Sequence, residues 1–292
     1  MTGRGNGSPP RDGEPLVDVL PDADAATRAA ATLLASALAD AVRQRGRADW
    51  ATTGGSTVVP IYRHLATPPL RDLVPWDRVH VWWGDDRFVP RDHPLSNRLP
   101  FDQALLGMAG KAGLSGSGAG GIDVELGALP GVSLPASNVH GMPIEAALAD
   151  NAPEEAAAAY AAELEAAPLP HDPSGAPILD VILVGIGPDG HVFSVFPGSP
   201  LLDSPALVSG VPAPTHVEPH VARVSLSPRF LTAARLLVTV VLGAGKAAIV
   251  DAVLTGPRDI RRYPSQLARR PGAAWFLDEA AASRLPHRDP SA

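Results

Sequence analysis

The sequence predicts an α/β fold, a mostly parallel sheet with helices on both faces, on three observations. Compact apolar runs such as RVHVWWG and LDVILVG stop at glycine, as strands buried on both faces do. They alternate with Ala- and Leu-rich stretches of helical spacing, and no succession of hairpin signals intervenes. At 292 residues, 45% of them hydrophobic, the chain can bury a full core.

Taken in order, residues 1–15 are polar, rich in Gly and Pro and without an apolar stretch, and read as a disordered tail. Residues 16–284 read as a single α/β domain and 285–292 as a C-terminal tail. The segment 22–45 begins with acids and ends at Gly46, which predicts a long helix. ADWATTGGST reads as a short strand entering a glycine turn, and TVVPIYRHLA as a helix that tolerates Pro60 in its first turn. RVHVWWG and LDVILVG are strands, and RLPFDQALLG between them a helix that Ser96 and Asn97 could cap. PEEAAAAYAAELEAA is a second strong helix, with Pro153 and two acids at its start. HVARVSLS, RLLVTVVLG and AAWFLD are further strands, and GKAAIVDAVLTG a helix bounded by glycines. The stretch 108–135 has a Gly/Ser core that can hardly repay the entropy of ordering, and its first part reads as a flexible insertion.

Composition narrows the function. A net charge of −7 leaves no basic surplus to neutralise a nucleic-acid backbone. The absence of cysteine removes disulfides, thiolate zinc sites and cysteine nucleophiles together. No apolar run approaches the ~18 residues that a membrane span requires. The expectation is a cytoplasmic protein, a monomer or small homo-oligomer, with neither nucleic-acid nor membrane partners.

Polar clusters stand at four strand ends, where open α/β sheets bind ligands. In TGGST, Gly54 and Gly55 let the backbone approach an oxyanion, and Ser56 and Thr57 add hydroxyl donors beside a helix start; a plain Ser/Thr N-cap reads equally well. In WGDDRFVPRDHPLSNR, Asp85, Asp86 and Arg87 are functional or a surface ion pair. GIGPDGHVFSVFPG contains a literal G-x-G-x-x-G, but Asp189 would put a carboxylate where a pyrophosphate should lie and Pro197-Gly198 stops any long helix. The dinucleotide reading fails, and what remains is His191, just past a strand end, with Asp189 two positions earlier to orient it. GAGKAAIV lacks Walker spacing, yet sets Lys246 against the dipole of the helix it opens, a conflict that a bound anion resolves.

In this order, TGGST, WGDDRFVPRDHPLSNR, ILVGIGPDGHVFSVFPG, RVSLS, GAGKAAIVDAVL and PSQL…AWFLDEAA resemble the 6-phosphogluconolactonase family over residues 20–282. The resemblance implies a modified Rossmann-like α/β fold shared with glucosamine-6-phosphate deaminases, ribose-5-phosphate isomerases and coenzyme A transferases. It implies hydrolysis of 6-phospho-D-glucono-1,5-lactone to 6-phosphogluconate in the oxidative pentose phosphate pathway, with no metal or organic cofactor. The deaminase branch carries an I-A-F-N-E-P segment after its histidine, and this chain has VFSVFPG, without an acid. Two departures stand out: Asp86 where the lactonases more often have glutamate, and Phe193, bulky for its place.

On this reading His191 is the general base, since imidazole titrates near neutral pH, and Asp189 assists if the fold turns the two together. The resemblance assigns the phosphate to Gly54, Gly55, Ser56, Thr57 and Lys246, with Arg223 or Arg87 as a further cation; Asp85 joins the substrate-binding set. A division with Arg87 near the sugar or oxyanion and Arg223 near the phosphate is expected. The loop HVEPH carries His216 and His220, read as solvent-exposed rather than zinc-binding.

Overall fold

The computed structural model describes residues 13–108 and 131–286. Most of both predicted tails and most of the predicted insertion lie outside these residues. In chain order the elements are β1 (Leu16–Leu20), α1 (Ala23–Arg45), β2 (Ala48–Thr52), α2 (Val58–Leu65), α3 (Leu70–Leu73), β3 (Val79–Trp83), β4 (Asp85–Arg87), α4 (Arg98–Ala104), β5 (Val139–His140), α5 (Ile144–Ala147) and α6 (Pro153–Ala166). There follow β6 (Val181–Val184), β7 (Val208–Val211), β8 (Arg223–Leu226), α7 (Arg229–Ala233), β9 (Leu236–Val241), α8 (Ala247–Leu254), β10 (Ala273–Asp278) and α9 (Glu279–Ala282).

Seven strands form one sheet in the order β1-β10-β9-β6-β2-β3-β5, every neighbouring pair parallel. Helices cover both faces. Trp50 and Trp83 point to the side of α2 and α4, where they meet Tyr62 and Phe101. Trp82 points to the other side and meets Tyr160 of α6. The helix α1 runs as its sequence signals: Asp22 accepts from the Ala25 amide at its start, and Gly46 closes it in the left-handed region. Among the described residues it alone is long and apolar enough to cross a membrane, although charged residues interrupt its apolar stretch. It packs on the sheet with Ala30, Leu34 and Leu38 fully buried.

The second sheet, β4-β8-β7, is antiparallel. HVARVSLS is a strand as predicted, but it belongs here rather than in the parallel sheet. The strand β4, sequence DDR, was read as a polar strand-end loop; it is a strand because β8 supplies its partner residues, Arg87 lying opposite Arg223.

This topology places the site. After β2 the chain builds outward to β3 and β5; it then returns to the opposite side of β2 with β6 and continues to β9 and β10. Between β2 and β6 the strand order reverses, the position at which open α/β sheets leave a crevice beyond their carboxyl ends. The TGGST and GIGPDGH loops leave these two strands.

Candidate active site

A cleft of about 580 Å³ opens at that crevice, lined by Gly54, Gly55, Ser56, Thr57, Asp85, Arg87, His191, Arg223 and Lys246. The structure therefore brings together all of the sequence-predicted site residues except Asp189, which stands immediately behind His191.

Gly55 turns the TGGST loop at φ +96°. Tyr62 of α2 anchors its start: the phenol shares a 2.7 Å hydrogen bond with the Thr52 hydroxyl and donates to the Thr53 carbonyl. Thr57 occupies the N-cap position of α2, yet its side chain makes no capping bond. The plain-cap reading thus fails, and the amides of the first turn remain open to a ligand.

The literal G-x-G-x-x-G serves the histidine. A Cβ on Gly187 would lie 2.0 Å from His191 Nδ1, so only glycine leaves room for the ring. Gly190 turns at φ +86° against Tyr263 and Ile249, and the Gly187 amide donates to the His191 carbonyl, which closes the loop. Within it, His191 Nδ1 lies 2.5 Å from Asp189 Oδ1. With the carboxylate accepting at Nδ1–H, the Nε2 lone pair is the free one. Burial alone would raise the Asp189 pKa, but the hydrogen bonds and charge of His191, with His216 at 3.0 Å on the second oxygen, hold it well below the usual carboxylate range.

Asp85 is buried with its carboxylate engaged by Thr53, Asn97 and Ser194 hydrogen bonds of 3.3, 3.3 and 2.7 Å. It ties three loops together at the cleft wall. Asp86 faces away from it, accepting from the Arg87 and Asn97 amides. Phe193, with φ +53°, has its ring over Gly84, where any Cβ would clash with it.

Three cations line the cleft, and none has a carboxylate within ion-pair distance among the described residues. Arg87 donates to the Leu95 carbonyl and to Asn97 Oδ1, and Arg223 to the Pro219 carbonyl, with its guanidinium 5.3 Å from the Phe196 ring centre. The Nε atoms of both are buried without a partner. Lys246 donates to the Ile186 carbonyl at 2.8 Å; burial lowers its pKa, against the opposing charge of Asp189. Its turn is pinned by Asp278, which accepts from the Gly243 amide. Unpaired, partly desolvated cations beside open helix amides favour an anion.

The geometry regroups two residues and adds one. Arg87 and Arg223, expected at different parts of the substrate, are cross-strand neighbours that both line the cleft. His216 and His220 are half-exposed as expected, but His216 also lines the cleft and bonds Asp189, while His220 turns to the Pro214 carbonyl. Its sequence signal was weak, because the loop that carries it has no periodic pattern.

A family model described as glucosamine-6-phosphate isomerases/6-phosphogluconolactonase matches residues 21–276. The 6-phosphogluconolactonase of Streptomyces coelicolor is 34% identical over 93% of this chain and 95% of its own, and that of Mycobacterium tuberculosis 31% over 92% and 98%. The solved 6-phosphogluconolactonase of Trypanosoma brucei superposes with a TM-score of 0.75 at 25% identity, covering 94% of this chain and 100% of that one. A monomeric glucosamine-6-phosphate deaminase shares the fold, with a TM-score of 0.66 at 14% identity over 92% of this chain and 99% of its own. A matched fold, an almost full-length sequence relationship and a cleft that gathers three unpaired cations about a strand-end histidine agree: the chain belongs to the glucosamine-6-phosphate isomerase/6-phosphogluconolactonase family, and within it to the 6-phosphogluconolactonases.

Proposed function

We infer that the protein hydrolyses 6-phospho-D-glucono-1,5-lactone to 6-phospho-D-gluconate, a carboxylic ester hydrolase of the oxidative pentose phosphate pathway. The observation that carries this reading is a carboxylate-bonded imidazole with a free Nε2 in the same cleft as three unpaired cations.

A lactone is an activated ester, and its hydrolysis needs water at the C1 carbonyl, a base for the proton, and donors for the oxyanion. His191 Nε2 takes the water proton as the new C–O bond forms. The resulting imidazolium, stabilised by Asp189, returns the proton to the ring oxygen as the C1–O bond breaks. General-base help of this kind is worth about 10²- to 10⁴-fold. The phosphate is the handle: the Gly54, Gly55, Ser56, Thr57 loop and Lys246 hold it. Arg87 and Arg223, side by side on the cleft wall, add two positive charges to that grip. Asp85 acts by holding the cleft walls together. A phosphorylated sugar does not cross membranes unaided, so this substrate fits a cytoplasmic setting.

The test generates the lactone from glucose 6-phosphate with its dehydrogenase and follows the second NADPH burst from 6-phosphogluconate dehydrogenase, beside a no-protein control. Wild type accelerates the second burst, and His191→Ala, still folded, does not. Ammonia release from glucosamine 6-phosphate with no effect on the lactone would overturn the assignment.

A further inference from the structure

The Asp189 carboxylate is held at both oxygens, Oδ1 by His191 and Oδ2 by His216 Nε2 at 3.0 Å. His216 comes from the loop between β7 and β8 and packs edge-on against Phe196, ring centres 5.5 Å apart. Phe196 in turn lies 4.8 Å from the His191 ring. The two imidazoles therefore share one carboxylate and one aromatic support. A carboxylate gripped at one oxygen only is free to turn about its side-chain axis, whereas one gripped at both aims a fixed lone pair at its partner. Sharing also divides its charge: each donor receives less stabilisation of its protonated form than it would alone.

We propose that His216 is a positioning residue for the hydrolysis, holding the outer oxygen of Asp189 and thereby setting the orientation and the proton affinity of His191. The proposal rests on His191 as the general base. Besides His191 and His216, with Asp189 behind them, the charged groups lining this cleft are Asp85, Arg87, Glu218, Arg223 and Lys246, with His220 beside Glu218. They are common to wild type and His216 variants, so the difference between these isolates His216. Without its donor, Asp189 serves His191 alone and favours the imidazolium. The base then loses its proton at higher pH, and the acid limb of kcat/KM moves up.

The experiment measures kcat and KM for the lactone across the imidazole titration range, with the spontaneous rate subtracted, for wild type, His216→Phe, His216→Gln and His191→Ala. Phenylalanine keeps the edge contact with Phe196 but has no donor, and the glutamine amide supplies a neutral one. The Phe variant is expected to lose about 3- to 10-fold in kcat, the size of one net hydrogen bond, with KM within about twofold. Its acid limb moves to higher pH, and the Gln variant restores both. Profiles of Phe and wild type that coincide overturn the proposal. Equal impairment of Phe and Gln with an unmoved limb also overturns it, because His216 would then only pack the loop. If His191→Ala keeps wild-type turnover, the base assignment falls and takes this proposal with it; if that variant is inactive while the His216 profiles coincide, only this proposal falls.

Discussion

At the residue scale the site depends on a missing side chain. A methyl group on Gly187 would overlap His191 Nδ1 and lie 2.7 Å from Asp189 Oδ1. Gly187→Ala must therefore push the ring off its carboxylate, and a displacement of about 1 Å in a catalytic group costs about 10²-fold. Steady-state assay should show that loss in kcat while far-UV circular dichroism stays unchanged; full activity would mean that the loop relaxes around the methyl. Asp86 offers a second test, through pH. Burial raises its pKa from 3.8 to about 7, against the Asn97 and Arg87 amides that favour the anion, with Asp85 adding to the rise. Between these values the folded protein binds a proton that the unfolded chain does not, so this group's contribution to stability falls as pH rises from about 4 to 7. Urea denaturation at the two ends of that window should show the fall in wild type and a smaller one in Asp86→Asn, whose amide mimics the protonated acid. An equal pH dependence in both proteins would remove Asp86 as its cause.

Elements with their own periodicity and caps formed where the sequence signalled them. The helix α1 carries an N-cap, a glycine stop and a buried Ala/Leu stripe, and its observed bounds follow. Asp22→Ala removes the acceptor for the Ala25 amide and should cost about 1 kcal/mol in chemical denaturation. A change near zero would mean that water replaces the cap without loss. Elements that depend on a distant partner were not legible. The strand β4 is three residues of charge, and β5 two residues; neither shows an alternating apolar pattern. Both exist because a neighbour offers a ladder, β8 for one and β3 for the other. The antiparallel second sheet was missed for the same reason: strand propensity identifies a strand but carries no direction of pairing.

At the scale of the whole molecule, an all-parallel sheet sets the carboxyl ends of its strands on one edge, and the reversal between β2 and β6 opens the crevice there. Loops far apart in the chain meet in one cleft lined by three cations, and an anion that binds there only in the folded state should stabilise it. At 100 times its dissociation constant 6-phosphogluconate contributes about 2.7 kcal/mol, visible as a rise in melting temperature. Arg223→Ala or Lys246→Ala should shrink that rise; an undiminished rise in both would place the phosphate elsewhere. By itself the sequence determined the fold class, the long helices, the buried strands and the residues at four strand ends, because periodicity, capping and glycine turns are local. It also carried the family, through the order of its motifs. Only the tertiary structure decided that Arg87 and Arg223 stand side by side, that Asp85 is a tie between loops, that Asp86 faces away, and that His216 reaches Asp189. Those relations lie between segments distant in the chain, and the packing of the two sheets sets them where no local pattern records them.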